Sequence, residues 1–183
     1  MLATLVVLLF VAVAAWTDAR TNMIYNWTTY PGILLGVVVN ACERGSAGAS
    51  DSLAGLVVCG GVILFVFLFG GTGGGDVKLI AMLGAGLGMY DGIEAMLWTF
   101  VVGAVFAVAA LIWQFGAWRL LRGTLHHLWC LLRARSWVPL TAEERTPLKR
   151  TLFLAPAALV AVIVVRWTEI ESLKNWCETR FLP

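Results

Sequence analysis

Two of the chain's eleven acidic residues stand out because each adjoins a strongly apolar stretch. Asp18 follows the apolar run Leu2–Thr17, and Asp76 follows the glycine-rich segment FGGTGGG that begins at Phe69. Ionisable groups in such places are costly and are therefore candidates for function. Two carboxylates that meet can share one proton, so that one activates water while the other polarises a carbonyl group. Their repulsion makes the pair titrate as a unit.

Other kinds of catalytic or binding site find little support in the sequence. The four cysteines are isolated, with no C-x-x-C pair, so we expect no metal site and no cofactor. A Walker phosphate loop requires Gly-Lys-Ser/Thr, whereas Lys78 follows Asp76 and Val77. The remaining acids have ordinary explanations in short outer loops, in a loop helix or in the polar C-terminal segment. The outer-loop group is Glu43, Asp51, Asp91 and Glu94.

The composition predicts an all-α, polytopic transmembrane helix bundle that forms a single domain over residues 1–183. Hydrophobic residues make up 60% of the chain and charged residues only 13%, against about 25% charged residues in soluble domains. Several apolar stretches are shorter than the ~20 residues of a comfortable span, which places Asp18 and Asp76 near the membrane surface. About six spans are predicted, at Leu2–Thr17, Trp27–Ala41, Leu53–Phe69, Val77–Met89, Ile93–Phe115 and Thr151–Val165.

The basic residues predict which side each loop occupies. With six spans, nine of the thirteen basic residues fall on one side, which the positive-inside rule assigns to the cytoplasm together with Asp18 and Asp76. Most of the nine lie in Gly116–Arg150, where leucines at helical spacing favour an amphipathic helix on the cytoplasmic membrane surface. A net charge of +2 is too small to indicate nucleic-acid binding.

Both aspartates lie within longer motifs. The first is DARTNMIYN, Asp18–Asn26, in which Tyr25 stands where a proline is usual, and the second is GGGDVKL, Gly73–Leu79. With six spans and a final apolar segment that contains Pro156, the chain resembles the type IV prepilin peptidase family of GxGD-type membrane aspartyl proteases. Because the chain has no C-x-x-C motif, it resembles the short members of this family, which lack the N-terminal region associated with methyltransferase activity.

The resemblance implies a multi-pass enzyme of the inner (cytoplasmic) membrane. It would remove the short basic leader of a type IV or Flp pilin-like precursor at the cytoplasmic face, with Asp18 and Asp76 as the catalytic pair and without metal or cofactor. The partners implied are the precursor and the lipid bilayer, with no nucleic acid. Five further residues are expected to bind substrate or shape the loops: Gly73, Gly75, Lys78, Arg20 and Asn26.

Two alternatives remain open at this level. The chain could be a non-catalytic membrane assembly component or a small transporter whose polar loop residues serve packing. Lys78 could contact the substrate or tune the acid pair, or it could extend to phosphate headgroups as long basic side chains near span ends often do.

Overall fold

The computed structural model describes residues 2–69, 73–115 and 154–171, and all regular structure within these ranges is helical, which confirms the all-α prediction. Three segments have the length and composition to cross a membrane: Leu2–Thr21, Asn26–Leu68 and Met89–Ala110. The total of about six spans therefore stays a prediction. The helices are α1 (Leu2–Thr21), α2 (Asn26–Leu68), α3 (Gly74–Leu87), α4 (Met89–Phe115) and α5 (Leu154–Val165).

The chain divides into two compact units, Met1–Gly103 with Phe153–Pro183, and Ala104–Leu152. Every contact discussed below lies within the first unit. Of the second unit, the structure describes only 104–115, the C-terminal part of α4. The predicted amphipathic helix in Gly116–Arg150 lies outside the described residues.

Helix α1 is longer than the sequence predicted. It does not end at Thr17 but continues through Thr21, so Asp18 and Arg20 lie in its last turns instead of in a loop. Asn22 has a φ of 53° and its N–H donates to the main-chain oxygen of Asp18 at 2.8 Å. Asparagine tolerates this left-handed conformation better than most residues. The polar sequence after Thr17 therefore completes the helix before the chain turns.

Helix α2 contains both the second and the third predicted span, and the two halves run in opposite directions. At Gly45 the backbone leaves the helical conformation, with φ 66° and ψ −146°, a region open mainly to glycine. Residue numbers along α3 rise with those of α2 before Gly45 and fall after it, among the pairs of residues that contact each other. Before it, Gly32 and Gly36 face Met82 and Gly86; after it, Gly55 and Gly60 face Gly84 and Ala81.

Two polar side chains show the same reversal. Asn40 donates to the Gly86 and Ala85 carbonyls at 3.0 and 3.3 Å, and the Ser52 hydroxyl donates to the same Ala85 carbonyl. On a straight helix, residues 40 and 52 would be separated by about 18 Å. Because both reach one carbonyl, α2 is a helical hairpin that encloses α3 between its halves.

A buried arginine marks the end of the bundle far from Asp76. Arg166 is only 8% exposed; its Nη2 lies 2.8 Å from Asp91 Oδ2 and donates to the Leu87 carbonyl at 3.1 Å. Leu87 closes the 14-residue helix α3 at the end opposite to Asp76, about 16 Å away along the helix. Asp76 and Asp91 therefore lie at opposite ends of the bundle.

The hairpin leads to a topology prediction. Ala47 follows the turn at Gly45, at the end of the bundle that also carries Asp91. We expect a reporter fused at Ala47 to indicate the outside, and one fused within Arg133–Arg145 to indicate the cytoplasm, because the positive-inside rule assigns the side with nine of the thirteen basic residues to the cytoplasm. Alkaline phosphatase and green fluorescent protein fusions measure this directly. Reversed signals, or both fusions on one side, would contradict the proposed orientation.

Candidate active site

Asp76 lies in the first turn of α3 and is oriented by the loop before it. Its Oδ2 accepts a hydrogen bond from the Gly73 N–H at 3.1 Å, and its own N–H donates to the Gly73 carbonyl at the same distance. A carboxylate at a helix N-terminus is also stabilised by the helix dipole. The side chain is half-buried, so it is held in place while one face stays accessible.

Asp18 lies in the last turns of α1, where it is 4% exposed. Its Oδ2 accepts a hydrogen bond from the Ala155 N–H at 3.3 Å. Ala155 belongs to the first turn of α5, where backbone N–H groups have no partner within their own helix. The N-terminus of α5 thus anchors the Asp18 carboxylate. The sequence does not identify Ala155, and its nearest signal is Pro156, a residue type common in first helical turns.

The structure brings the two carboxylates within electrostatic range of each other, although 58 positions separate them in the sequence. Burial raises the pKa of the Asp76 carboxyl, the Gly73 hydrogen bond lowers it, and the neighbouring Asp18 charge raises it again. The pKa of Asp76 therefore lies above its ordinary value. A raised pKa next to a second carboxylate is the arrangement in which two acids share one proton.

The predicted glycines differ in what they contribute. A Cβ on Gly75 would lie 3.1 Å from the Cβ of Ile24, so glycine lets the loop between α1 and α2 pack on α3 more closely than a larger residue would without a small shift of Ile24. Gly73 has no such restriction, since a Cβ there would meet only its hydrogen-bonded neighbour Asp76, at 3.5 Å. Its contribution is the backbone N–H. Gly75 thus brings the two aspartate motifs into direct contact.

The three remaining predicted residues lie at this same end of the bundle. Lys78 Nζ donates to Asn26 Oδ1 at 2.7 Å and lies 5.4 Å from the centre of the Tyr30 ring. The Arg20 guanidinium lies 4.4 Å from the centre of the Trp16 ring. Trp16 lies one turn earlier on α1, so the two side chains share one face of that helix. A role of Arg20 in orienting the loop, by pairing with an acid or a lipid headgroup, stays a prediction.

Within the described ranges, no group of three or more histidine, cysteine, aspartate or glutamate side chains is placed to hold a metal ion. The predicted independence from metals and cofactors stays a prediction. What these residues can supply is acid–base chemistry, since two carboxyl groups within electrostatic range can exchange protons with a water molecule and a carbonyl oxygen.

A comparison with protein-family models gave a match over the part of the chain that contains the two acids. Residues 5–108, more than half of the 183-residue chain, match the model of the type IV leader peptidase family. This range contains both aspartates and both motifs. Searches of curated proteins and of solved structures gave no significant match. The chain belongs to the type IV leader peptidase family.

Proposed function

We propose that this chain is an aspartic endopeptidase that removes the leader of type IV or Flp pilin-like precursors, with Asp18 and Asp76 as the catalytic pair. The observation that supports the proposal is that the charge of Asp18 acts on Asp76 and that each acid accepts a hydrogen bond from a backbone N–H at a helix terminus. A packing role would not require two carboxylates to approach each other at an energetic cost. Family membership supports a leader peptidase.

The reaction follows from one proton shared by the pair. The ionised carboxyl group takes a proton from water while the protonated one donates a hydrogen bond to the scissile carbonyl oxygen. The resulting hydroxide attacks the carbonyl carbon, and the tetrahedral intermediate collapses as the C–N bond breaks. The leaving amine receives a proton from the pair, which returns to its singly protonated state.

The position of the pair suits a substrate that is itself partly in the membrane. Asp76 immediately precedes the predicted span Val77–Met89, and Asp18 lies in the last turns of α1. A pilin-like precursor carries its cleavage site next to a hydrophobic helix, so the scissile bond would reach the pair while that helix stays in lipid. We place the protein in the inner membrane, with the pair at its cytoplasmic face.

Purified protein in liposomes should cleave a synthetic pilin-like precursor once, between leader and hydrophobic helix, and should do so in the presence of EDTA. Mass spectrometry of the products identifies the bond. A catalytically inert preparation with intact helical circular dichroism would favour the non-catalytic alternative, and EDTA-sensitive cleavage would contradict the aspartic mechanism.

The rate should depend on pH in a bell shape. At low pH both carboxyl groups are protonated and no base remains, whereas at high pH both are ionised and no acid remains. Because burial and Asp18 raise the pKa of Asp76, the alkaline limb should lie above the ordinary aspartate pKa of about 4. Initial rates between pH 3 and 10 measure it. A rate that is independent of pH on the alkaline side would argue against a shared proton.

A further inference from the structure

We propose that Lys78 is a positioning residue that fixes the loop after Asp18 against the helix that carries Asp76, and that it does not bind substrate. The proposal rests on the function proposed above. It starts from one contact, in which the Lys78 ammonium donates to the Asn26 side-chain oxygen at 2.7 Å. This is the length of a charge-assisted hydrogen bond, which is stronger than a neutral one.

The ammonium has a second partner on the same face of α2. Tyr30 lies one turn after Asn26, so the two side chains share one side of the helix. Lys78 Nζ is 5.4 Å from the Tyr30 ring centre, within the range of a cation–π interaction. The lysine side chain is half-buried. Its charge is thus held between two groups of the chain itself, so a peptide or a headgroup would have to compete with these partners.

The helical geometry separates Lys78 from the acid that it follows. Two residues along an α-helix correspond to a rotation of about 200°, so the Lys78 and Asp76 side chains leave α3 on different sides. Lys78 therefore acts on the backbone around the pair and not on the carboxyl groups themselves.

Two contacts hold α3 on either side of Asp76 in the sequence, and the Lys78 hydrogen bond is one of them. Ile24 packs on Gly75, one residue before Asp76, and Asn26 binds Lys78, two residues after it. Ile24 lies in the segment that links α1 to α2, and Asn26 is the first residue of α2, directly after that segment. Since this segment begins at the helix end that carries Asp18, its attachment to α3 fixes the distance between the two acids.

The rest of the helix pairing does not depend on this contact. Further along, α2 and α3 are joined by the close approach of Gly36 to Gly86 and by the hydrogen bonds of Asn40. Removal of the Lys78 ammonium should therefore leave the bundle assembled and loosen only its catalytic end. Displacement of catalytic groups by a fraction of an ångström lowers the rate of the chemical step more than it lowers substrate affinity.

The test is a double-mutant cycle with Lys78→Met and Asn26→Ala. Each single variant should reduce kcat by roughly tenfold, with KM changed by less than about twofold, since misplacement acts on the chemical step. The double variant should be no worse than either single one, because both remove the same contact. Asn26→Asp keeps an oxygen acceptor and should restore most of the kcat that Asn26→Ala loses, but only when Lys78 is present.

A second readout does not require activity. In a background with all four native cysteines replaced by alanine, cysteines introduced as Ile24→Cys and Gly75→Cys should form a disulfide, because their Cβ atoms would start 3.1 Å apart and need to separate by less than ~1 Å to reach the usual Cβ–Cβ distance of about 3.8 Å. Adding Lys78→Met or Asn26→Ala should slow that oxidation to the same extent. A polyethylene-glycol maleimide gel shift follows the reaction, and this result holds even if the wild-type chain cleaves no pilin-like precursor.

Three outcomes would overturn the proposal. A raised KM with unchanged kcat in Lys78→Met would make the lysine a substrate contact. If the fold losses in kcat of the two single variants multiply in the double variant, Lys78 and Asn26 have independent roles. Unchanged disulfide formation in Lys78→Met would show that the lysine does not hold the loop. None of these outcomes affects the assignment of the acid pair, which the aspartate variants test separately.

Discussion

Asp18→Asn and Asp76→Asn are each expected to abolish precursor cleavage, with a loss of roughly a thousandfold or more. Asparagine keeps the size of aspartate and retains an oxygen that accepts the N–H of Ala155 or Gly73. What it cannot do is hold or release the shared proton. Membrane insertion should stay near normal, and a gel shift on leader loss in cells that co-express the precursor measures the activity.

The double variant should be no worse than either single variant, because residues that act as one unit are not additive. The matched control is Glu94→Gln, which removes an exposed acid at the opposite end of the bundle. Asp91 is the weaker control because it forms an ion pair with the buried Arg166, and its loss would disturb the fold. Full cleavage by one aspartate variant would remove that acid from the mechanism, and full cleavage by both would leave the peptidase proposal without a catalyst.

Gly55→Ala is expected to disrupt the fold, while Gly61→Ala, six residues later on the same helix, should be tolerated. A Cβ on Gly55 would collide with the Gly84 carbonyl oxygen and lie 2.7 Å from the carbonyl carbon and oxygen of Gly88, all of them backbone atoms that cannot turn aside. A Cβ on Gly61 would meet nothing within 4 Å. The Gly55 substitution should lower the free energy of unfolding by about 3 kcal/mol, the upper range for overpacking.

The measurements are the yield of monodisperse protein after detergent extraction and its apparent Tm. Gly84→Ala should behave like Gly55→Ala, since a Cβ there would meet the Gly55 carbonyl from the other side. Equal Tm values for the Gly55 and Gly61 variants would contradict the hairpin around α3. Because these glycines lie away from the acids, the activity of the glycine variants should fall in proportion to the amount of folded protein. The aspartate variants, in contrast, should be folded and inactive.

Much of the site could be predicted from the sequence because its chemistry requires particular residue types. An acid is costly beside an apolar span, so the positions of Asp18 and Asp76 along the chain were enough to select them from eleven acids. The segment that holds each acid could be predicted for a similar reason, since long apolar runs have few alternatives to the helix in a membrane. The ends of those helices were harder to predict. Polar residues after Thr17 resemble a loop, yet α1 continues through Thr21, with the Asp18 carboxylate bound to the Ala155 N–H and the Asp18 carbonyl bound to the Asn22 N–H.

The sequence alone determined the helical class, the two candidate acids and the motifs by which the chain resembles its family, because these depend on residue type and on spacing along the chain. Only the tertiary structure decided which groups meet. The reversal at Gly45, the Ala155 N–H on Asp18 and the Lys78 contact with Asn26 join positions far apart in sequence or involve main-chain atoms. Every non-proline residue carries the same N–H, so which of them faces a carboxylate depends on how the helices pack and not on the residue's identity.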